Sequence, residues 1–137
     1  MSDSMIVFIR SSKIPSIDEL RREVASEGLE LESWDEESLQ DIEGFWPGTI
    51  KGQEAGFEFM LDEIDDEDLE DWGVDKDQLD GRDYMVDLTF RTEMDLAASA
   101  ICASFFCKTC DGLTFDDDEE LTINSSNCSQ WASTMLS

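Results

Sequence analysis

Residues 83–115 constrain the fold of this chain most, because their hydrophobic period changes from two residues to between three and four. The first part alternates apolar with mostly polar positions, and its apolar set is Tyr84, Val86, Leu88 and Phe90. That period is typical of a strand with one buried face. The next apolar residues recur at helical steps and are Met94, Ala97, Ile101 and Phe105. The segment predicts a strand, a helix and a returning strand that pack as one unit.

Capping signals set the ends of the two longest predicted helices. Thr92 precedes the alanine-rich helix, and Asp95 lies at the capping-box position three residues later. Gly112 is predicted to take the left-handed turn that ends this helix. Ser16 and Glu19 repeat the capping-box spacing ahead of a helix over residues 17–28.

The remaining elements complete an alternating order of strands and helices. Residues 5–10 predict a strand, residues 44–48 a rigid aromatic turn, and residues 49–51 and 55–62 a hairpin. A short amphipathic segment surrounds Trp131. The order strand, helix, strand, strand, helix, strand predicts a single α+β domain over residues 1–137. We expect a ferredoxin-like split βαβ sandwich, with an antiparallel sheet, helices on one face and a short C-terminal helix.

The net charge of the chain limits the kinds of partner that it can bind. It has 35 Asp and Glu against 9 Lys and Arg, a formal net charge of −26. Such a surface repels nucleic-acid phosphates and anionic membranes. The plausible partners are therefore a cationic protein, a divalent metal or a protein whose normal ligand is a polyanion, and a protein with a basic surface is the expected one. A hydrophobic content of 40% predicts a folded body rather than a disordered acidic tail. No apolar run reaches the roughly 18 residues of a membrane span, and no signal sequence is evident, so a cytoplasmic location is expected.

Catalytic signatures are sparse in this sequence. It contains no histidine, no glycine-rich phosphate loop and no Gly-x-Ser-x-Gly motif. With 35 acids, carboxylate pairs arise by chance and carry little information. We therefore expect a protein that is not an enzyme and needs no cofactor.

The cysteines leave one alternative open. Cys102, Cys107, Cys110 and Cys128 resemble the spacing of plant-type iron–sulfur ligands. On the predicted helix, however, Cys102 and Cys107 point about 140° apart, whereas cluster ligands come from an irregular loop. Reduced thiols in the core are the favoured interpretation. An iron–sulfur or metal-binding carrier is the less favoured one.

Acidic residues are concentrated between positions 62 and 80, where eleven of nineteen residues are Asp or Glu. The segment is either a solvated face or a docking surface in which Trp72, with Trp34 or Trp46, supplies an aromatic anchor. The predicted contact residues are Asp65, Asp66, Asp68, Glu70, Asp71 and Trp72. A second predicted patch consists of Asp116, Asp117, Asp118, Glu119 and Glu120.

Several short motifs resemble those of small acidic immunity proteins, the antidotes of bacterial toxins delivered by contact-dependent or type VI secretion. These motifs are Ile14-Pro15-Ser16, Gly44-Phe45-Trp46-Pro47, Gly56-Phe57-Glu58-Phe59 and the segment over residues 111–116. The resemblance implies a cytoplasmic protein that binds and occludes one cognate toxin domain. The alternative from the charge alone is an acidic nucleic-acid mimic, from a phage or mobile element, that inhibits a DNA-binding nuclease.

Overall fold

A computed structural model describes residues 3–33, 39–72, 76–116, 121–123, 127–128 and 130–131. The helices in this part are α1 (Ile17–Ser26), α2 (Asp66–Trp72), α3 (Lys76–Leu79) and α4 (Glu93–Thr109), with short 3-10 turns at Ser11–Lys13 and Leu39–Asp41. The strands are β1 (Asp3–Ile9), β2 (Leu29–Leu31), β3 (Glu43–Trp46), β4 (Gly48–Ile50), β5 (Gln53–Glu54), β6 (Phe57–Glu63), β7 (Tyr84–Phe90), β8 (Thr114–Asp116) and β9 (Leu121–Ile123).

The main sheet has four strands in the order β1-β7-β6-β3, and every neighbouring pair is antiparallel. A second sheet has the order β2-β4-β5, and β8 pairs with β9. The predicted α+β class with an antiparallel sheet is confirmed. In a split βαβ unit the first strand lies beside a parallel strand. Here β1 instead pairs with β7 in the antiparallel direction. Parallel neighbours need a helical crossover between them, but here the chain leaves α1 for the second sheet.

The segment predicted as an aromatic turn forms strands on both sides of Pro47. Its first half is β3, which pairs with β6, and its second half begins β4. The predicted hairpin is also wrong in its pairing. β4 turns back onto the two-residue β5, whereas β6 pairs with β3 and β7 in the main sheet. Backbone preference at Gly44 and Pro47 suggested a turn, but pairing with β6 keeps the chain extended there.

Helix α4 is the centre of the fold, as the period change predicted. Residues 97–107 are all buried, and α4 contacts β1, β4, β6, β7 and α1. Alanine, serine and cysteine side chains allow this approach, because small residues bring the helix backbone close to its neighbours. Alternate residues of the main sheet meet α1 and α4 in one large hydrophobic core. Those sheet residues are Val7, Ile9, Phe57, Phe59, Leu61, Val86 and Leu88.

The opposite face of the main sheet carries a smaller hydrophobic cluster. Leu69 of α2 and Leu79 of α3 pack there with Phe8 and Met85. The prediction of helices on one face therefore holds for α1 and α4 but not for the short acidic helices. Each of these two helices supplies one buried leucine, and this anchors them on the second face.

The predicted helix starts are confirmed. The hydroxyl of Ser16 accepts a hydrogen bond from the backbone N–H of Glu19 at 3.1 Å, and Thr92 accepts one from Asp95 at 3.1 Å. The Asp95 carboxylate has a different role from the predicted capping box. It accepts a hydrogen bond from the backbone N–H of Gly56 at 3.1 Å, and so joins α4 to the strand region before β6.

The end of α4 differs from the prediction by one residue. Asp111, with φ 52°, takes the left-handed conformation that was predicted for Gly112. Gly112 is needed for a different reason, because a Cβ there would lie 2.8 Å from the carbonyl oxygen of Phe106. Its N–H donates to the carbonyls of Phe106 and Cys107, both at 3.2 Å, which closes the last turn.

A helical turn follows β9 in the described residues, as the segment around Trp131 predicted. The N–H of Trp131 donates to the carbonyl of Asn127 at 3.0 Å, which is the helical spacing. Cys128 and Trp131 are both buried and belong to the large core. The C-terminal segment is thus part of the packed body.

Two adjacent aromatic residues of β3 have opposite environments. Trp46 is fully buried, lies edge-on to Phe59 at a centroid distance of 5.4 Å, and donates its indole N–H to the carbonyl of Glu32 at 2.7 Å. Phe45 is 55% exposed. The difference follows from the period of two along a strand.

We predict that Trp46→Ala lowers the free energy of unfolding by about 3–5 kcal/mol, because it empties a core site and leaves a carbonyl unpaired. Phe45→Ala is the matched control, and it should change stability by less than about 1 kcal/mol. Urea unfolding followed by circular dichroism measures both variants. Equal losses in the two would contradict this assignment of faces.

Candidate functional site

Helix α2 presents part of the predicted acidic contact surface to solvent. Asp65, Asp66 and Glu70 are exposed, while Leu69 is only 4% exposed and packs against the sheet. A carboxylate oxygen of Asp65 accepts a hydrogen bond from the N–H of Glu67 at 3.0 Å, which orders the helix start. The carboxylates therefore sit on an anchored helix rather than on a free loop.

Other predicted contact residues lie outside what the structure describes. Asp68, Asp71 and Trp72 belong to α2 and Asp116 ends β8, but their side chains are outside the described part. Trp34 and the remaining acids of the second patch lie outside the described residues, and those acids are Asp117, Asp118, Glu119 and Glu120. Trp46, the other predicted anchor, is wrong as a contact residue because it is fully buried in the core.

An open groove of about 900 Å³ lies between the second sheet, α1 and the start of α4. Phe45 of β3 lies at this groove, and it is the exposed large hydrophobic residue of the described chain. The groove is also lined by four acids and one base, which are Glu30, Glu32, Glu54, Asp95 and Arg21. Four carboxylates against one guanidinium give this lining a formal charge of −3.

The ring of Phe45 is held in place at the groove. A Cβ at Gly56 would lie 2.9 Å from the ring atom Cζ, so the ring rests directly on the Gly56 backbone. Pairing of β3 with β6 fixes the backbone position of Phe45 opposite Glu58. The sequence pattern did not predict this site, because residues 44–48 were interpreted as a turn. Alternation with buried Trp46 was the signal that would have identified it.

Small, closely packed residues form part of the groove wall. Gly48, Ala55 and Gly56 line the groove and are buried. On the α1 side, Arg21 donates its Nε–H to the carbonyl of Leu31 at 3.1 Å, which orients the guanidinium along the wall. The site thus combines an exposed aromatic ring with an acidic lining.

The densest group of charged contacts lies elsewhere, where β1, α4 and the start of β7 meet. Arg10 donates to the Asp111 carboxylate at 2.9 Å. Arg82, whose side chain is 9% exposed, donates to the backbone carbonyls of Asp111 at 2.7 Å and Leu79 at 2.9 Å. Both arginines therefore stabilise the turn in which Asp111 has its left-handed conformation.

This network also sets the acidity of its carboxylates. The hydrogen bond from Arg10 lowers the pKa of Asp111, and the hydrogen bonds from Ser11 lower the pKa of Asp83. The bond to Asp111 raises the pKa of Arg10. These ion pairs and hydrogen bonds join β1, the end of α4 and the start of β7. We therefore interpret the network as structural.

The four cysteines are free thiols and all are buried. Burial raises the pKa of Cys107 and of Cys110 to about 12, and it also raises the pKa of Cys102. A thiol must lose its proton to act as a nucleophile or metal ligand. Within the described residues, no group of three or more Cys, Asp or Glu side chains could hold a metal ion.

Comparisons with protein-family models, curated proteins and solved structures found no match. The resemblance to immunity proteins therefore remains a prediction that rests on the short motifs. None of the helices in the described part of the chain is long and apolar enough to cross a membrane.

We predict that the native cysteines resist a thiol reagent such as 5,5′-dithiobis(2-nitrobenzoate) at pH 8 and react fully in urea, because all four are buried and shielded from the reagent. Ser12→Cys is the control, since Ser12 is exposed and its replacement should react at once. Rapid labelling of the native protein, or stoichiometric iron in it, would instead favour the carrier alternative.

We predict that Asp111→Asn lowers stability by about 1 kcal/mol at pH 7, a value reduced because the Asp111 side chain is 37% exposed. Asparagine also tolerates the left-handed conformation at position 111, so the loss of stability measures the effect of removing the negative charge. The lowered pKa of Asp111 means that its contribution is complete above about pH 4 and disappears as the pH falls through the folded-state value.

The measurement is urea unfolding of wild type and variant at pH 7 and at about pH 2.5. The difference between them should be smaller at the lower pH, because protonation of Asp111 weakens its ion pair with Arg10. Glu43→Gln, at an exposed position, controls for the general effect of removing one negative charge. A difference that persists undiminished in acid would show that Asp111 acts through packing alone.

Proposed function

We propose that this chain is an immunity-type inhibitor, a cytoplasmic protein that binds a cationic toxin domain and occludes it without catalysing a reaction. The observation that carries the proposal is the net charge of −26 on a folded chain that holds exposed carboxylates on an anchored helix. Those described carboxylates include Asp65, Asp66 and Glu70 of α2. The motif resemblance supports the same function.

Charge and packing contribute differently to such a complex. Carboxylates on the surface accelerate encounter with a basic partner and select against acidic ones. Affinity comes mainly from a few aromatic groups that lose contact with water. The described chain offers Phe45 as such a group, while Leu69 keeps α2 in position without contacting solvent.

A nucleic-acid mimic is the second candidate, and the same exposed carboxylates favour it. The two functions differ in what the partner can no longer do. A mimic displaces DNA from its target, whereas an antidote blocks a toxin whether or not that toxin binds DNA. Competition with labelled duplex DNA for the purified partner distinguishes them.

The proposal is tested by producing the chain together with the protein encoded by the adjacent gene. We expect a stable stoichiometric complex and recovery of growth in cells that produce the neighbouring protein. A complex that forms but leaves growth inhibited would remove the inhibitory function. A neighbour that neither binds nor harms cells would remove the proposal altogether.

We predict that the double variant Asp66→Lys and Glu70→Lys associates with the cationic partner about tenfold more slowly at low ionic strength, because it reverses two exposed charges on α2. Stopped-flow fluorescence measures the association rate. The matched control is Glu23→Lys with Glu27→Lys, an exposed pair with the same spacing and charge change at α1. Equal slowing in both variants would show that α2 is an ordinary solvated face rather than a docking surface.

A further inference from the structure

We propose that the groove beside Phe45 receives an arginine side chain from a basic segment of the partner protein. The inference deepens the proposed function and rests on it, since it assumes a cationic protein partner. It differs from the sequence-based prediction, which placed the contact surface at residues 65–72 and 116–120. The groove lies instead between α1, the second sheet and the start of α4.

Phe45 supplies the first part of the site. One side of its ring rests on Gly56, and the residue is nevertheless 55% exposed. An exposed aromatic ring with a fixed position is a suitable surface for stacking a flat cation. Other large hydrophobic side chains of the described chain are buried or half-buried, so within the described residues Phe45 is the large hydrophobic side chain that is open to a partner.

The carboxylates supply the second part. Glu30, Glu32 and Glu54 are exposed along the groove, and the half-buried Asp95 is fixed by its bond to the Gly56 N–H. A neutral or anionic occupant would desolvate these groups without compensation. A cation offsets this desolvation cost by pairing with the carboxylates. The formal charge of −3 means that the groove has more carboxylates than its own basic residue can pair with. Charge complementarity therefore selects a basic occupant.

Arginine fits this combination better than lysine does. Its guanidinium is planar, so it can stack on Phe45 while its N–H groups reach a carboxylate in the same plane. Paired hydrogen bonds from guanidinium to carboxylate are also stronger and more directional than those from an ammonium group.

The test uses the full chain labelled with ¹⁵N and two capped peptides, one of alternating arginine and glycine and one of alternating lysine and glycine. At a fixed low ionic strength, we expect the arginine peptide to shift the amide signals of Gly48, Ala55 and Gly56. We expect Phe45→Ala to weaken its binding about fivefold to tenfold. The lysine peptide should bind more weakly and should be affected less by that substitution.

Two further variants keep the test decisive. Phe45→Trp retains an aromatic surface and should bind the arginine peptide at least as well as wild type. Asp66→Lys with Glu70→Lys should weaken both peptides equally, since it changes only the long-range charge. Circular dichroism confirms that each variant is folded.

Some outcomes would overturn the inference. Signals that shift only in α2, or unchanged arginine binding in folded Phe45→Ala, would place the contact elsewhere. If Phe45→Ala still restores growth as wild type does, the groove inference fails while the proposed function stands. If wild type gives no recovery of growth, the proposed function fails, whatever the peptides show.

Discussion

Burial of α4 against the antiparallel sheet is the interaction on which the rest of the structure depends. Its small residues let the helix sit close to the strands, and its aromatic pair Phe105 and Phe106 extends the contact toward Phe59. The core formed in this way leaves the acids for the surface. A chain with a net charge of −26 needs such a core, because repulsion among its carboxylates opposes the compact state.

Three of the nine basic residues lie where elements join. Arg10 and Arg82 hold Asp111 at the end of α4, and Arg21 binds the backbone of β2 beside the groove. These arginines stabilise the turn after α4 and one side of the groove, and they neutralise little of the acidic surface. The groove and α2 consequently retain their negative charge, which is the property that the proposed partner would recognise.

Periodicity in the sequence predicted the elements that are buried, because burial imposes a regular spacing. The strand at Tyr84 and the helix that follows Thr92 were found this way, whereas the caps at Ser16 and Thr92 were identified by their capping-box residues. Pairing between distant strands has no comparable local signal. For that reason β3 was mistaken for a turn, and the exposed ring of Phe45 was missed.

We propose that the acidic surface docks a cationic protein and that Phe45 lies in the contact. Hydrogen–deuterium exchange of the complex with the adjacent gene's product tests it most directly, since amides under the partner lose exchange. We expect added protection in α2 and in the region from β3 to β5. Protection confined to α4 and the buried cysteines, with none in those two regions, would contradict it.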